Sequence, residues 1–354
     1  MLQIAFITVG DLTRRTGGYL YHDEVHTRLH RQGHRVTEIV AGAADAAAQR
    51  AAAAHLGALV DPAAYDVIVV DALARIACAP WLAAWQAQRP LVAMIHELPS
   101  MAGGQADSDD QSAEAALVRA DRLIAVSAHG AAALIERGAA PERITIASGG
   151  FDRLTAWRGA TNAGGSRAAT PHTALCVAQW IPRKQIRELV HAWGVAAPEG
   201  WRLELVGETH ADAEYAAAVH AAIGATAAPV LVRGAVDDAA LAAVYASADL
   251  FVLPSRFEGY GIVFAEALAY GLPIIACASG PVPELVGAAA LLTPPDDLQA
   301  LAAALRRLTG DAALREQLAA AARTRATALP TWDDTTAQYL NALEEARRTW
   351  ATSR

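Results

Sequence analysis

Short apolar runs alternate with longer Ala-rich stretches of helical period along almost the whole chain. In the first half the runs fall at residues 3–9, 35–40, 66–71, 91–96, 122–127 and 144–148. They read as near-continuous apolar strands, the pattern of a parallel sheet covered by helices on both faces. Helical periodicity lies between most of them, for example over 20–31 and 129–137. The pattern breaks at 154–172, where Gly, Ala, Ser and Thr dominate without a repeat, which predicts a linker. A second alternating series follows at 173–179, 201–206, 230–234, 250–254, 274–277 and 291–293, and residues 298–350 read as helix interrupted near Pro330.

The predicted fold class is therefore α/β, with two doubly wound parallel sheets in series. The domains are expected at 1–153 and 173–330, with 331–354 a closing helix. In such sheets ligands bind beyond the carboxyl ends of the strands. The glycine and polar clusters at 10–18, 96–97, 179–184, 208 and 255–261 all follow strands, so they are expected to converge on one interdomain cleft.

Bulk properties narrow the function classes. At 354 residues and 54% hydrophobic, two cores can be built, and a net charge of −8 argues against a nucleic-acid partner. The same charge weakens electrostatic attachment to a membrane and leaves only weak peripheral contact open. Cys78, Cys176 and Cys277 lack metal-ligand spacing and read as buried thiols of a cytoplasmic protein. The start, MLQIAFITVG, reads as a strand rather than a signal peptide.

The most informative segment is PSRFEGYGIVFAEALAYGLPIIA, residues 254–276. A strand ends at Pro254, a glycine-flanked loop follows, and a helix is expected to start near Gly261. Gly259 and Gly261 permit close backbone approach, and the free N–H groups across Tyr260, Gly261 and Ile262 favour an anion. Glu258 is placed to accept hydrogen bonds from sugar hydroxyls, and Glu266, two turns along the helix, from ribose hydroxyls. Two glutamates on a helix face are otherwise common as solvated charges.

Of 29 basic residues, all but Lys184 are arginine, and Lys184 stands in CVAQWIPRKQIRELVHAW, residues 176–193. Arg183 and Lys184 are predicted to open a helix. Cations are unfavourable at that end of the dipole, so they call for an anion such as a diphosphate. In GDLTRRTGGYLYHDEV, residues 10–25, Gly17 and Gly18 form a pair without the GxGxxG fingerprint, which argues against a dinucleotide cofactor. His96 ends an apolar run; a lone histidine is more often structural than functional. His22, His26, His30 and His34 recur at i, i+4, but no third ligand set is evident, so a solvated or partly buried helix face is expected and no metal.

The 254–276 segment resembles the EX7E motif of GT-B glycosyltransferases, particularly glycosyltransferase family 4. The 176–193 segment resembles that family's GR-x-x-P-x-K-G run, with Gln179 in the place of the usual arginine. The resemblance implies two Rossmann-like domains across a cleft and a retaining, metal-independent transferase without cofactor. Its donor would be a nucleotide-diphosphate sugar, UDP- or GDP-linked, and its acceptor is open. It implies Glu258, Lys184 and His96 as catalytic. Gly17, Gly18, Gln179, Arg183, Lys184, Val232, Glu258, Gly259, Tyr260, Gly261, Ile262 and Glu266 are implied to bind the donor. Another GT-B enzyme, an epimerase or phosphorylase, competes with this reading. So does a non-catalytic nucleotide-sugar binding subunit, for which Gln179 is the argument.

Overall fold

A computed structural model describes residues 1–101, 108–155 and 171–352. The chain divides into two compact units, one formed by residues 1–149 with 332–354 and the other by 150–331. Most of the expected linker, residues 156–170, lies outside the described residues.

The first unit holds β1 (Gln3–Thr8), β2 (Arg35–Val40), β3 (Val67–Asp71), β4 (Leu91–Ile95), β5 (Arg122–Ala125) and β6 (Ile144–Ile146). All run parallel in the order β2-β1-β3-β4-β5-β6. Every residue of β3 and β4 is buried, as two-faced helical cover requires. The second unit holds β7 (His172–Val177), β8 (Trp201–Val206), β9 (Val230–Gly234), β10 (Leu250–Leu253), β11 (Ile274–Cys277) and β12 (Ala290–Thr293). Here the order is β12-β11-β10-β7-β8-β9, again all parallel.

The strand order reverses between β1 and β3 in the first sheet and between β7 and β10 in the second. At such switch points neighbouring connections leave to opposite faces and open a crevice at the strands' carboxyl ends. The segments that follow β1, β3, β7 and β10 carry the polar residues treated below.

Several strands stop one or two residues short of their apolar runs, because the last residues turn out of the sheet to begin loops. Helix starts are fixed by aspartate: Asp45, Asp212, Asp237, Asp297 and Asp311 each accept a hydrogen bond from the backbone N–H three residues on. Asp311 thereby adds a break to the tail that periodicity did not predict, separating Leu298–Gly310 from Ala312–Ala326. The last helix, Trp332–Thr352, belongs to the first unit. Trp332 and Tyr339 are fully buried there, Thr335 Oγ1 donates to Ser148 O and Trp350 Nε1 to Gln86 O.

The first unit ends at Gly149, four residues before the expected boundary. Phe151 N donates to Pro330 O and Arg153 reaches Glu266, so these residues pack with the second sheet. All three cysteines are buried and none is in a disulfide. Among the described residues no helix is long and apolar enough to cross a membrane.

Candidate active site

At the switch point of the second sheet, the segments after β7 and β10 bring opposite charges together. Pro182 starts a 3-10 turn, Pro182–Lys184, and Gln185 follows in a left-handed conformation at φ 54°. The α-helix begins only at Ile186, so Arg183 and Lys184 stand in the turn ahead of the helix rather than opening it. Lys184 Nζ donates to both carboxylate oxygens of Glu258, at 2.6 and 2.8 Å. Arg183 Nη1 donates to Phe257 O at 2.6 Å and lies 3.5 Å from Glu258 Oε2. Arg256 N donates to Arg183 O, which ties the two loops to each other.

Glu258 is 5% exposed. Burial alone would raise its carboxyl, but Lys184 and then Arg183 outweigh burial, leaving it below the ordinary 4.5. The carboxylate is thus ionised at neutral pH.

Gly261 precedes the helix Ile262–Ala269 at φ 97°. A Cβ there would also lie 2.7 Å from the Phe264 ring, so both backbone and space demand glycine. Ile262 is buried at the first helical position. Gly259 and Tyr260 complete the loop; the Tyr260 hydroxyl is shielded from solvent without a hydrogen-bond partner, and burial raises it above its ordinary value.

Glu266 is 1% exposed on this helix, and both its oxygens are engaged. Oε1 accepts from Arg153 Nε and Nη2 at 3.1 and 2.6 Å, and Oε2 accepts from the Tyr245 hydroxyl at 3.0 Å. Arg153 also donates to Asp238 Oδ1 at 2.5 Å. Burial pushes the Glu266 carboxyl up, against the pull of Arg153. Burial likewise works against the Arg153 charge, and Glu266 with Asp238 overcomes it. Arg153, Tyr245 and, in the first sheet, Asp71 are residues that sequence reasoning missed. The sequence carried no local signal of these roles.

Gln179 Nε2 donates to Glu208 Oε2 at 2.9 Å, joining the segments after β7 and β8. Val232 is half-buried on β9 opposite Leu205.

Next to the switch point of the first sheet stands His96, just past β4. Its Nε2 lies 3.1 Å from His22 Nε2, which lies 3.2 Å from Asp71 Oδ2. Asp71 ends β3 fully buried, accepts from Thr8 Oγ1 at 2.7 Å and from Leu73 N at 3.0 Å. Burial and then the neighbouring His22 lower the His96 imidazole to about 3, so it is neutral. Burial opposes the Asp71 charge, but hydrogen bonds with His22 and the Leu73 N–H keep its carboxyl below the ordinary value.

Gly17 and Gly18 begin the helix Gly17–Arg31 without left-handed backbone. A Cβ at Gly17 would meet nothing, while one at Gly18 would sit 3.7 Å from the His96 ring. The histidine series forms the partly buried face expected of it, with His30 exposed and His34 half-buried. His22 and His26 are buried, His26 Nδ1 pairs with Glu38 at 2.7 Å, and His30 and His34 accept from Val36 N and Leu2 N. His22 finds its partners in other segments rather than in His26.

Comparison with known proteins decides the family. Residues 171–311 match the family model of the group 1 glycosyl transferases. D-inositol 3-phosphate glycosyltransferase of Thermomonospora curvata is 30% identical over 337 residues, covering 85% of this chain and 75% of that protein. The chain belongs to the group 1 glycosyltransferases.

This group 1 glycosyltransferase also matches two curated mannosyltransferases at 35% and 36% identity, but over only 28% of the length of each. Sucrose-phosphate synthase of Thermosynechococcus elongatus superposes with a TM-score of 0.81 at 23% identity, over 99% of this chain and 100% of that one. Anabaena HepE, solved in complex with UDP-glucose, has a TM-score of 0.77 at 21% identity, over 98% and 100%. Those likenesses establish the fold, the GT-B architecture of two Rossmann-like sheets.

Proposed function

We propose that this protein is a retaining, cytoplasmic glycosyltransferase that takes a sugar from a nucleotide-diphosphate donor without a metal on the diphosphate. The observation that carries the reading is the part-buried Lys184–Glu258 pair at the switch point of the second sheet, beside the glycine-led start of the helix Ile262–Ala269. UDP-glucose in the structure of HepE supports a nucleotide-sugar as the donor class.

Lys184, Arg183 and the first N–H groups of that helix present positive charge to a diphosphate. The Glu258 carboxylate is the anion that holds Lys184. Donor binding exchanges that partner for phosphate oxygens and frees Glu258 to accept hydrogen bonds from sugar hydroxyls. As the bond from the anomeric carbon to the phosphate oxygen breaks, charge grows on the diphosphate, where preorganised cations stabilise the transition state more than the ground state. The acceptor oxygen bonds to the same face of the anomeric carbon, and its proton passes to the departing phosphate oxygen. Glu266 is assigned to the ribose, with Arg153 and Tyr245 fixing its carboxylate. Gly259, Tyr260, Gly261 and Ile262 line the donor's passage, Val232 the base, and Gln179 supplies an uncharged donor. His96, Gly17 and Gly18 are assigned to the sugar and acceptor.

The test is a thermal-shift and turnover screen against UDP-, GDP-, ADP- and TDP-sugars in the presence of chelator, followed by NMR of the product's anomeric configuration. Release of one nucleoside diphosphate with retained configuration is the expected outcome. Stabilisation by a donor with no turnover under any acceptor would instead identify a nucleotide-sugar binding subunit.

A further inference from the structure

Among the described residues one group has the arrangement of metal ligands, and it lies in the first unit. His22 Nε2, Asp71 Oδ2 and His96 Nε2 all lie within 4.8 Å of one another. They come from a helix, the end of β3 and the residue after β4, so three separate elements deliver them to one point.

Hydrogen bonding alone accounts poorly for this meeting. A single nitrogen, His22 Nε2, faces both Asp71 and His96, at 3.2 and 3.1 Å. One ring proton is aimed along one direction and cannot serve two partners well. With the proton on His96 instead, the Asp71 carboxylate faces a lone pair. A proton relay would engage opposite nitrogens of the middle imidazole. Here both partners are on the same nitrogen, and His22 Nδ1 is buried without a hydrogen bond. The three groups therefore converge rather than form a chain.

Convergence of two imidazole nitrogens and a carboxylate oxygen is the donor set of a divalent transition ion. In tetrahedral zinc sites with bonds of about 2.0–2.1 Å, ligand atoms stand roughly 3.4 Å apart, close to the 3.1 and 3.2 Å between His22 Nε2 and its two neighbours. The surroundings suit the role. Thr8 Oγ1 donates to the ligating oxygen of Asp71, as outer-shell groups orient carboxylate ligands. The Phe6 ring centroid lies 4.4 Å from that of His22, and the Tyr21 centroid 5.1 Å from that of His96, so aromatic rings flank the polar centre.

We propose that His22, Asp71 and His96 form a binding site for one zinc-class ion, with a further coordination position left for a non-protein ligand. The site takes in His96, assigned above to the sugar and acceptor, but binding is measured without any donor, so its failure would leave the transferase reading untouched.

The experiment uses the full chain, stripped with chelator and titrated with Zn2+ by calorimetry and with Co2+ by visible absorption. One ion per chain, a rise in Tm, and the d–d bands of four- or five-coordinate Co2+ are expected. His96→Gln, at a half-buried position, and Asp71→Asn should weaken affinity by on the order of a hundredfold, and Thr8→Val by about tenfold. Far-UV circular dichroism checks that each variant is folded. Unchanged Zn2+ affinity in folded His96→Gln, or no Tm rise in the parent protein at millimolar Zn2+, would overturn the proposal.

Discussion

Lys184 and Glu258, 74 positions apart in the chain, form a two-pronged ion pair at 2.6 and 2.8 Å in a part-buried setting. Removing the ammonium leaves a buried carboxylate whose remaining cation, Arg183, is 3.5 Å away. Lys184→Ala should therefore lose about 3 kcal/mol of stability in urea unfolding. The double variant Lys184→Ala/Glu258→Gln should recover part of that loss, because no charge is left unpaired. Donor turnover should fall by on the order of a hundredfold in Lys184→Ala. A rate near the parent's would remove Lys184 from the phosphate.

The same pair sets an acid limit. The Glu258 carboxyl is lower in the folded chain than its ordinary 4.5, so on acidification the unfolded chain takes up this proton first. Its stabilisation is complete above that ordinary value and is lost as pH falls through the folded one. Glu258→Gln should flatten the fall in Tm below about pH 4.5, measured against the parent by calorimetric scans.

Glu266 is held by Arg153 and Tyr245, and Arg153 is 6% exposed at its side chain. Arg153→Met should cost roughly 3 kcal/mol by stranding Glu266. Glu266→Ala should weaken nucleotide affinity in calorimetry. Unchanged affinity there would take the ribose away from Glu266.

Two glycines should behave differently on replacement by alanine. At Gly261 the backbone lies at φ 97° and the new Cβ would press on Phe264, so Gly261→Ala should destabilise by about 1–3 kcal/mol. At Gly17 neither obstacle exists, and stability should change by less than about 0.5 kcal/mol. Loss of turnover in Gly17→Ala with an unchanged Tm would mark a substrate contact rather than a packing need.

The strands were legible because each is an apolar run bounded by turn formers, and that signal is local. Trp201–Val206, Val230–Gly234 and Ile274–Cys277 match their runs residue for residue. The turn at Pro182–Lys184 was not, since a left-handed Gln185 is a strained choice forced by packing rather than by composition. Arg153 gave no sign of its target, which is 113 positions away. The i, i+4 histidines pointed to a helix face, yet His22 is joined by Asp71 and His96, separated from it by 49 and 74 positions.

By itself the sequence determined two parallel α/β units and the segments that carry polar chemistry at strand ends, because periodicity and turn chemistry act between near neighbours. Strand order, and with it each switch point, was decided only in the tertiary structure. The same alternation of strands and helices fits the order β2-β1-β3 as well as β12-β11-β10-β7. The choice rests on which sheet edge each connection covers. That choice brought Lys184 to Glu258, Arg153 to Glu266 and His22 to Asp71 and His96, since buried charges must find partners wherever the fold sets them down.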